Sequence, residues 1–525
     1  MPLWRWMEAQ SSHTEASPDL TVSAAAEPPP ASEPAAATPG AIPNAECRMP
    51  NADDSQCRTR HYSSIRRFLE TAILFVTVVI VLRAIAMEPF GVPTGSMAPT
   101  LAGNHKECTC PRCGYPIVVG SSVGANNDFR ASQRAYSSAW CPNCYCNHLD
   151  LDKVPETTGD RLLVDKNIFE MRRPRRWEVA VFRCPDDVTK PYVKRVVGLP
   201  GEKVQIQDGD VYINGELARK TLEECRALRI PVFDEDYSPE GDGWKMRWRS
   251  GSPALNAALQ EPGALFQARE LHWDQNHRDE YAWLVYRHWL LDEKKEDAVR
   301  DVFGYNGGAT RSELNFVHDF LIEFSLEVQR GHGIFAIGLR DGRDDIQAEI
   351  PCGIESEQGR TLHIEKVDGG SLADVPFILH EGKTYRIEMA FVDRRISLAV
   401  DGREVIAPLD LPAVRERKPV SRPVWLGAKN VSVTVRSFRI FRDMHYTPTG
   451  RNAIYEAWPL GPNEYFMLGD NSANSEDSRY WSTPGVPASY LLGRPLLLHQ
   501  PSHWTSIRPG WDIQSVDWDR VRWIR

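Results

Sequence analysis

The chain has no surplus of positive charge. Its 62 Lys and Arg stand against 71 Asp and Glu, for a net charge of −9. Binding along a polyphosphate needs cations that displace counterions, so this balance excludes nucleic acid as a partner. Cysteine is scarce outside one window. Six of the 11 fall within residues 108–146 and need a local explanation. Long apolar runs are nearly absent too. One ends near residue 87, and nothing after it is long enough to span a bilayer, so the rest lies on one side of a membrane. The acidic stretch near residue 470 lacks the EF-hand spacing, which excludes that calcium loop.

What is present divides the 525 residues into parts. Residues 1–60, rich in Ala, Pro, Ser and Glu, hold too little apolar material to offset ordering entropy and read as a disordered tail. Phe68 to Met87 is 20 residues, roughly 30 Å as a helix at 1.5 Å per residue. Arg58, Arg60, Arg66 and Arg67 precede it. A single transmembrane helix over 65–88 follows, with the N-terminus cytoplasmic and the remainder extracytoplasmic. The small-residue stretch "AIA" at 84–86 also fits a cleavage site, but the preceding tail is far too long for a signal-peptide n-region, which favours an uncleaved anchor.

Three stretches carry candidate chemistry. In "GVPTGSMAPT", Ser96 follows Gly95, which lets another backbone approach closely, and sits between prolines. Serine needs a base to become a nucleophile; the Thr94 hydroxyl and the Ser96 N–H form a candidate oxyanion hole. A Gly-Ser turn alone is ordinarily only a turn. In "KPYVKRVVGLPGEKVQI", Lys194 lies in an apolar strand. Burial lowers a lysine pKa toward that of a general base, and Arg195 would press the same way if close; a lysine reaching out to solvent is the alternative. In "YFMLGDNSANSEDSRYW", turn residues surround Asp470, Asp477 and Arg479, suited to charge-assisted bracing, and Ser475 is a candidate partner for the lysine.

In this order, after an apolar anchor, these stretches resemble bacterial type I signal peptidase. "TGSMAPTL", "KRVVGLPGEKV" and "GDNSANSEDSR" match its nucleophile, base and late motifs, with "GDRLLVDK" and "VPASYLLGRP" as further elements. The resemblance implies Ser96 as nucleophile, Lys194 as general base and Thr94 as oxyanion donor. It also implies Ser475 orienting the lysine, Asp477 with Arg479 as a supporting salt bridge, and Asp470 with Asn471 shaping the loop. No catalytic cofactor is implied. The expected substrates are exported preproteins at the bilayer of the cytoplasmic (inner) membrane. Two departures stand out: Ser472-Ala473 replaces the usual Arg-Asp, and Trp177-Glu178 stands where the family has Gly-Asp before a Val/Phe run.

The expected fold is mainly β: a peptidase core at 89–106, 159–216 and 446–525, interrupted twice. The insert at 107–158 has Cys110-x2-Cys113 and Cys141-x2-Cys144, 27 residues apart, which read as a zinc ribbon with Cys108, Cys146 and His148 as further candidate ligands. Disulfides are the alternative in an oxidising compartment. The insert at 217–445 alternates apolar residues in "FLIEFSLEV" and "TYRIEMAFV", turns at Asp393-Arg394-Arg395 and Asp401-Gly402, and resembles a laminin-G or concanavalin-type β-sandwich. A glycan or a protein is its candidate partner, and Cys225 and Cys352 read as buried thiols. Two competing functions remain: a self-cleaving or regulatory Ser/Lys peptidase acting at 84–86, and a membrane-tethered binding protein with a vestigial peptidase core.

Overall fold

The computed structural model describes residues 66–81, 86–121, 138–147, 149–237, 247–251, 264–267, 270–274, 279–307, 314–353, 360–500, 504–506, 514–516 and 522–524. The expected tail at 1–60, Ala84 and Ile85 of the "AIA" site, and His148 lie outside them. The chain divides into two units, Met1–Ile85 and Ala86–Arg525.

In the first unit residues 66–81 are helical, and Phe68, Ile73, Leu74, Phe75 and Ile80 are exposed. Arg66 Nε pairs with Glu70 Oε1 at 2.8 Å, one turn on. Among the described residues no helix is long and apolar enough to cross a membrane. The C-terminal limit expected for the span needs correction. Met87 and Glu88 belong to the second unit and begin the strand Met87–Gly91, which pairs antiparallel with Arg161–Asp165. Pro89 has no N–H and suits an edge strand better than a helix interior.

The second unit is mainly β. One sheet has the strand order Met87–Gly91, Arg161–Asp165, Leu491–Gln500, Val179–Cys184, Asp187–Gly198, Glu464–Leu468, Gly485–Pro487, with Arg522–Trp523 added to Leu491–Gln500. Segments from both ends of the sequence thus meet in one sheet. Val164, Val179, Val181 and Leu498 share one buried cluster against this antiparallel sheet, while Ala180 and Phe182 alternate into another.

The 217–445 region supplies most of a 14-stranded sheet. Phe320, Ile322, Phe324, Leu326 and Val328 all point into one core, as their alternation demands. Phe320–Arg340 and Val424–Arg442 pair along their length, with register shifts at Val328/Arg330 and Gly331/Ile334. Phe324 and Phe335 are 11 residues apart, roughly 36 Å along a straight strand, yet their rings lie 6.0 Å apart. The strand therefore bends at these shifts and the sheet folds over its own apolar face. Val392 pairs with Arg395, so Asp393 and Arg394, both at positive φ, make a two-residue turn as the sequence suggests. The opposite face is covered by the helix Leu222–Leu228. Thr221 and Glu224 cap it reciprocally, and it buries Leu222 and Cys225 against Leu321, Ala390 and Phe441. Ile117, Val119 and Leu149 of the cysteine-rich segment join the core beneath the large sheet.

Candidate active site

Ser96 sits in a single 3-10 turn, Gly95–Met97, and is buried. Lys194 projects from the strand Asp187–Gly198 at the position paired with Ala180. Its ammonium donates to Ser96 Oγ at 2.5 Å. Burial pushes the Lys194 amine down to about 8, against the opposing pull of Asp477, Asp470 and Glu476; the Arg479 charge adds to the lowering. The Tyr192 ring lies 5.6 Å from the amine.

The late loop closes over this pair. Asp477 Oδ2 accepts from Ser475 Oγ (2.8 Å), Gly469 N (3.0 Å) and Arg479 Nη2 (2.8 Å), and Oδ1 accepts from Arg479 Nε (2.9 Å). Both charged groups are fully buried. Burial alone would raise the Asp477 carboxyl, but the Arg479 guanidinium and the Gly469 N–H hold it below its ordinary value. Arg479 also donates to the Ser472 carbonyl (2.8 Å) and the Thr447 carbonyl (3.0 Å). Three chain segments converge at Gly469: a Cβ there would meet Ser475 Oγ at 2.1 Å and the Ser96 carbonyl oxygen at 2.6 Å. Only glycine permits that approach.

Arg195, expected to press on Lys194 only if close, is turned to another partner. Neighbouring strand residues face opposite ways, and Arg195 instead forms a buried bidentate pair with Asp470, at 2.7 and 2.6 Å. Asp470 also accepts from Thr100 Oγ1 at 2.5 Å, a partner the motif reading missed. The cation that lowers Lys194 is Arg479. Asn471 ties the loop to the serine turn: its backbone N–H donates to the Ser96 carbonyl and its Nδ2 to the Gly95 carbonyl, both at 3.0 Å. The Ser475 hydroxyl donates to Asp477 rather than to the lysine. Thr94 is exposed, extended and directly before the turn.

The Trp177-Glu178 departure has a different surrounding. Trp177 adopts φ 65 at the position where the family motif carries glycine, and its carbonyl accepts from Arg195 at 2.5 Å. The Lys220 ammonium lies 4.7 Å over its ring. Glu178 is buried between Arg172 (2.5 Å) and Arg494 (3.0 Å). A cavity of about 270 Å³ lies beside these residues and the helix Leu222–Leu228. Neither Ser96 nor Lys194 lines it, so it is not the cleft of the pair.

The two cysteine knuckles share one geometry. The Cys110 N–H bonds the Tyr115 carbonyl, and the Cys141 N–H bonds the Cys146 carbonyl. Gly114 and Tyr145, each following the second cysteine of its pair, take positive φ and donate back to Cys110 and Cys141. The Sγ atoms of Cys110, Cys113, Cys141 and Cys144 lie within 4.8 Å of one another, with 3.5 Å between Cys110 and Cys144 and between Cys113 and Cys141. Four thiolates about 2.3 Å from one tetrahedral zinc stand about 3.8 Å apart, so this buried, soft donor set fits that ion. None of these four is disulfide-bonded, and Cys108 and Cys146, likewise outside any disulfide, lie outside the group of four. Cys225 and Cys352 are buried thiols.

Comparison with known proteins agrees with the motifs. Residues 154–244 and 396–499 match the family described as signal peptidase, peptidase S26; Lys194, Asp470, Asp477 and Arg479 fall inside the match and Ser96 outside it. The chain is 29% identical over 163 residues to signal peptidase I of Rickettsia typhi, covering 31% of this chain and 48% of that protein. It is 32% identical over 146 residues to signal peptidase I of Rickettsia conorii, covering 28% and 42%. The chain thus spans less than half the length of these curated relatives. Among solved structures, the exoplasmic/lumenal domain of VIP36 aligns at 11% identity with a TM-score of 0.26, covering 41% of this chain and 92% of that one. The carbohydrate binding module CBM66 from Bacillus subtilis aligns at 11% identity and 0.23, covering 37% and 94%. The matched segments are thus similar to the signal peptidase, peptidase S26, family.

Proposed function

We propose that the chain is a membrane-anchored serine endopeptidase that removes signal peptides from exported preproteins. The observation that carries this reading is the 2.5 Å contact between Lys194 Nζ and Ser96 Oγ in a buried setting that holds the amine near 8. In the neutral form the lysine takes the Ser96 proton as Oγ attacks the scissile carbonyl. The Thr94 hydroxyl and the Ser96 N–H hold the oxyanion, the leaving amine takes the proton back from Lys194, and water clears the acyl-enzyme. Asp477 and Arg479 fix the loop against which the lysine is set. Ser475 acts through Asp477, in keeping with its hydrogen bond.

The apolar side chains exposed along 66–81, with arginines before them, support an anchor in the cytoplasmic membrane and an extracytoplasmic catalytic unit. The four cysteines would hold a structural zinc that staples residues 107–158. The 217–445 region is read as an inserted sandwich that docks a glycan or protein partner. The test is cleavage of a purified preprotein by the full chain in detergent. Ser96→Ala and Lys194→Ala are expected to abolish cleavage while the melting transition is kept; cleavage retained by either folded variant refutes the reading.

A further inference from the structure

The serine turn is held from outside the family motifs. The loop Phe303–Gly307, within the large insert, forms a 3-10 turn at Gly304–Asn306 that ends on Gly307 at positive φ. Asn306 and Asn471 make a reciprocal amide pair: each Nδ2 donates to the other's Oδ1 at 2.7 Å. Asn471 also donates from Nδ2 to the Gly95 carbonyl, at 3.0 Å. An amide can rotate to exchange its oxygen and nitrogen, and the flipped Asn471 would set its oxygen against the Gly95 oxygen. The Gly95 oxygen thus selects the donating orientation, and the two bonds to Asn306 hold the Asn471 amide in place to make that contact. Beside it, Tyr305 fills the space next to the turn: a Cβ on Gly95 would lie 2.2 Å from its ring, and its hydroxyl accepts from the Gly103 N–H at 3.1 Å. The loop is seated in turn on the cysteine-rich segment, where a Cβ on Gly304 would meet the Trp140 carbonyl at 3.3 Å and Pro142 at 3.4 Å.

We propose that Asn306 is a positioning residue for Ser96, acting through Asn471, so that the large insert is part of the machinery that aims the serine at Lys194. The inference rests on the reading of Ser96 as nucleophile. Asn306 does not touch the reacting atoms. It sets the amide that holds the Gly95 carbonyl, and with it the angle of the turn. Removing it leaves the strand bearing Lys194 intact and loosens only the serine side of the pair.

The test compares Asn306→Ala, Asn471→Ala and the double variant in the full chain. Loss of one net hydrogen bond from a positioned group predicts a kcat roughly three- to tenfold lower, with KM within about twofold. In the Asn471→Ala background, Asn306→Ala adds less than about twofold, because the two residues act in one line. Water admitted beside Lys194 moves the acidic limb of kcat/KM to higher pH, which a mere loss of folded protein does not do. Amide exchange across residues 94–98 quickens in Asn306→Ala, a readout independent of activity. If Asn306→Ala melts early, Asn306→Leu, close in size but without a donor or acceptor for Asn471, carries the same expectations. A folded Asn306 variant with parental kcat, or losses that multiply in the double variant, overturns the inference. A parent that cleaves nothing refutes the peptidase reading alone, and unchanged exchange at 94–98 then refutes the positioning role separately.

Discussion

Replacing Asp477 with asparagine separates stability from pH dependence. The carboxylate receives Arg479 Nε on Oδ1, and Arg479 Nη2, Ser475 Oγ and Gly469 N on Oδ2. An amide retains one oxygen. Its NH2 faces fewest donors in place of Oδ1, yet even there it meets Arg479 Nε and the Arg479 backbone N–H, and the fully buried guanidinium loses its counter-charge. Leaving one partner of such a pair alone costs about 3–5 kcal/mol, to be read from urea melts of the parent and the variant. The chemistry shifts in a direction that damage alone does not explain. Activity needs neutral Lys194, so it is present above the lysine pKa and lost as pH falls through it. The Asp477 charge favours the ammonium; removing it, and leaving the Arg479 charge unopposed, lowers Lys194 further below about 8. The acidic limb of kcat/KM on a preprotein therefore moves to lower pH although the protein is less stable. A limb that stays or moves upward, or a stability loss under about 1 kcal/mol, refutes the electrostatic argument.

Other perturbations test separate parts of the architecture. Gly469→Ala places a Cβ 2.6 Å from the Ser96 carbonyl oxygen; the turn must move, and kcat is expected to fall on the order of 100-fold, measured as preprotein cleavage by the folded variant. Lys220→Met strands Asp393 and Asp443, each 2.8 Å from the ammonium. The expected loss is about 3–5 kcal/mol. Burial pushes Asp443 up to about 7 and raises Asp393 as well, so the loss shrinks as pH falls and the carboxyls take up protons, and grows as pH rises; urea melts across pH 5–9 check the trend. Metal analysis with thiol counting is expected to find one zinc per chain, lost in Cys144→Ala. Two disulfides in place of metal refute the knuckle reading.

The contact between Ser96 and Lys194 was legible because each residue lies in a short motif whose neighbours fix its setting: Gly95 before Ser96, and apolar strand residues around Lys194. The knuckles were legible for the same reason, since Cys-x2-Cys brings two thiols together without help from the rest of the chain. The turn at Asp393-Arg394 and the apolar face through Phe320–Val328 follow from local pattern. What spacing could not supply were contacts between distant segments. Thr100 meets Asp470 across 370 positions and Asn306 meets Asn471 across 165. Adjacency left open whether Arg195 faces Lys194, and strand alternation sends it to Asp470. The fold-over of the large sheet depends on register shifts in the long strand pair, and no turn residue announces every one of them. Trp177 broke a glycine rule in the sequence. It adopts a left-handed backbone at φ 65, with its ring under Lys220 and its carbonyl accepting from Arg195.

The most direct measurement is the mass of the enzyme during turnover. Rapid acid quench of the full chain with a preprotein, followed by proteolysis and mass spectrometry, is expected to find the signal peptide esterified to the fragment containing Ser96. No such adduct is expected with Ser96→Ala. Cleavage that proceeds without an adduct, or an adduct on another residue, contradicts Ser96 as the nucleophile served by Lys194.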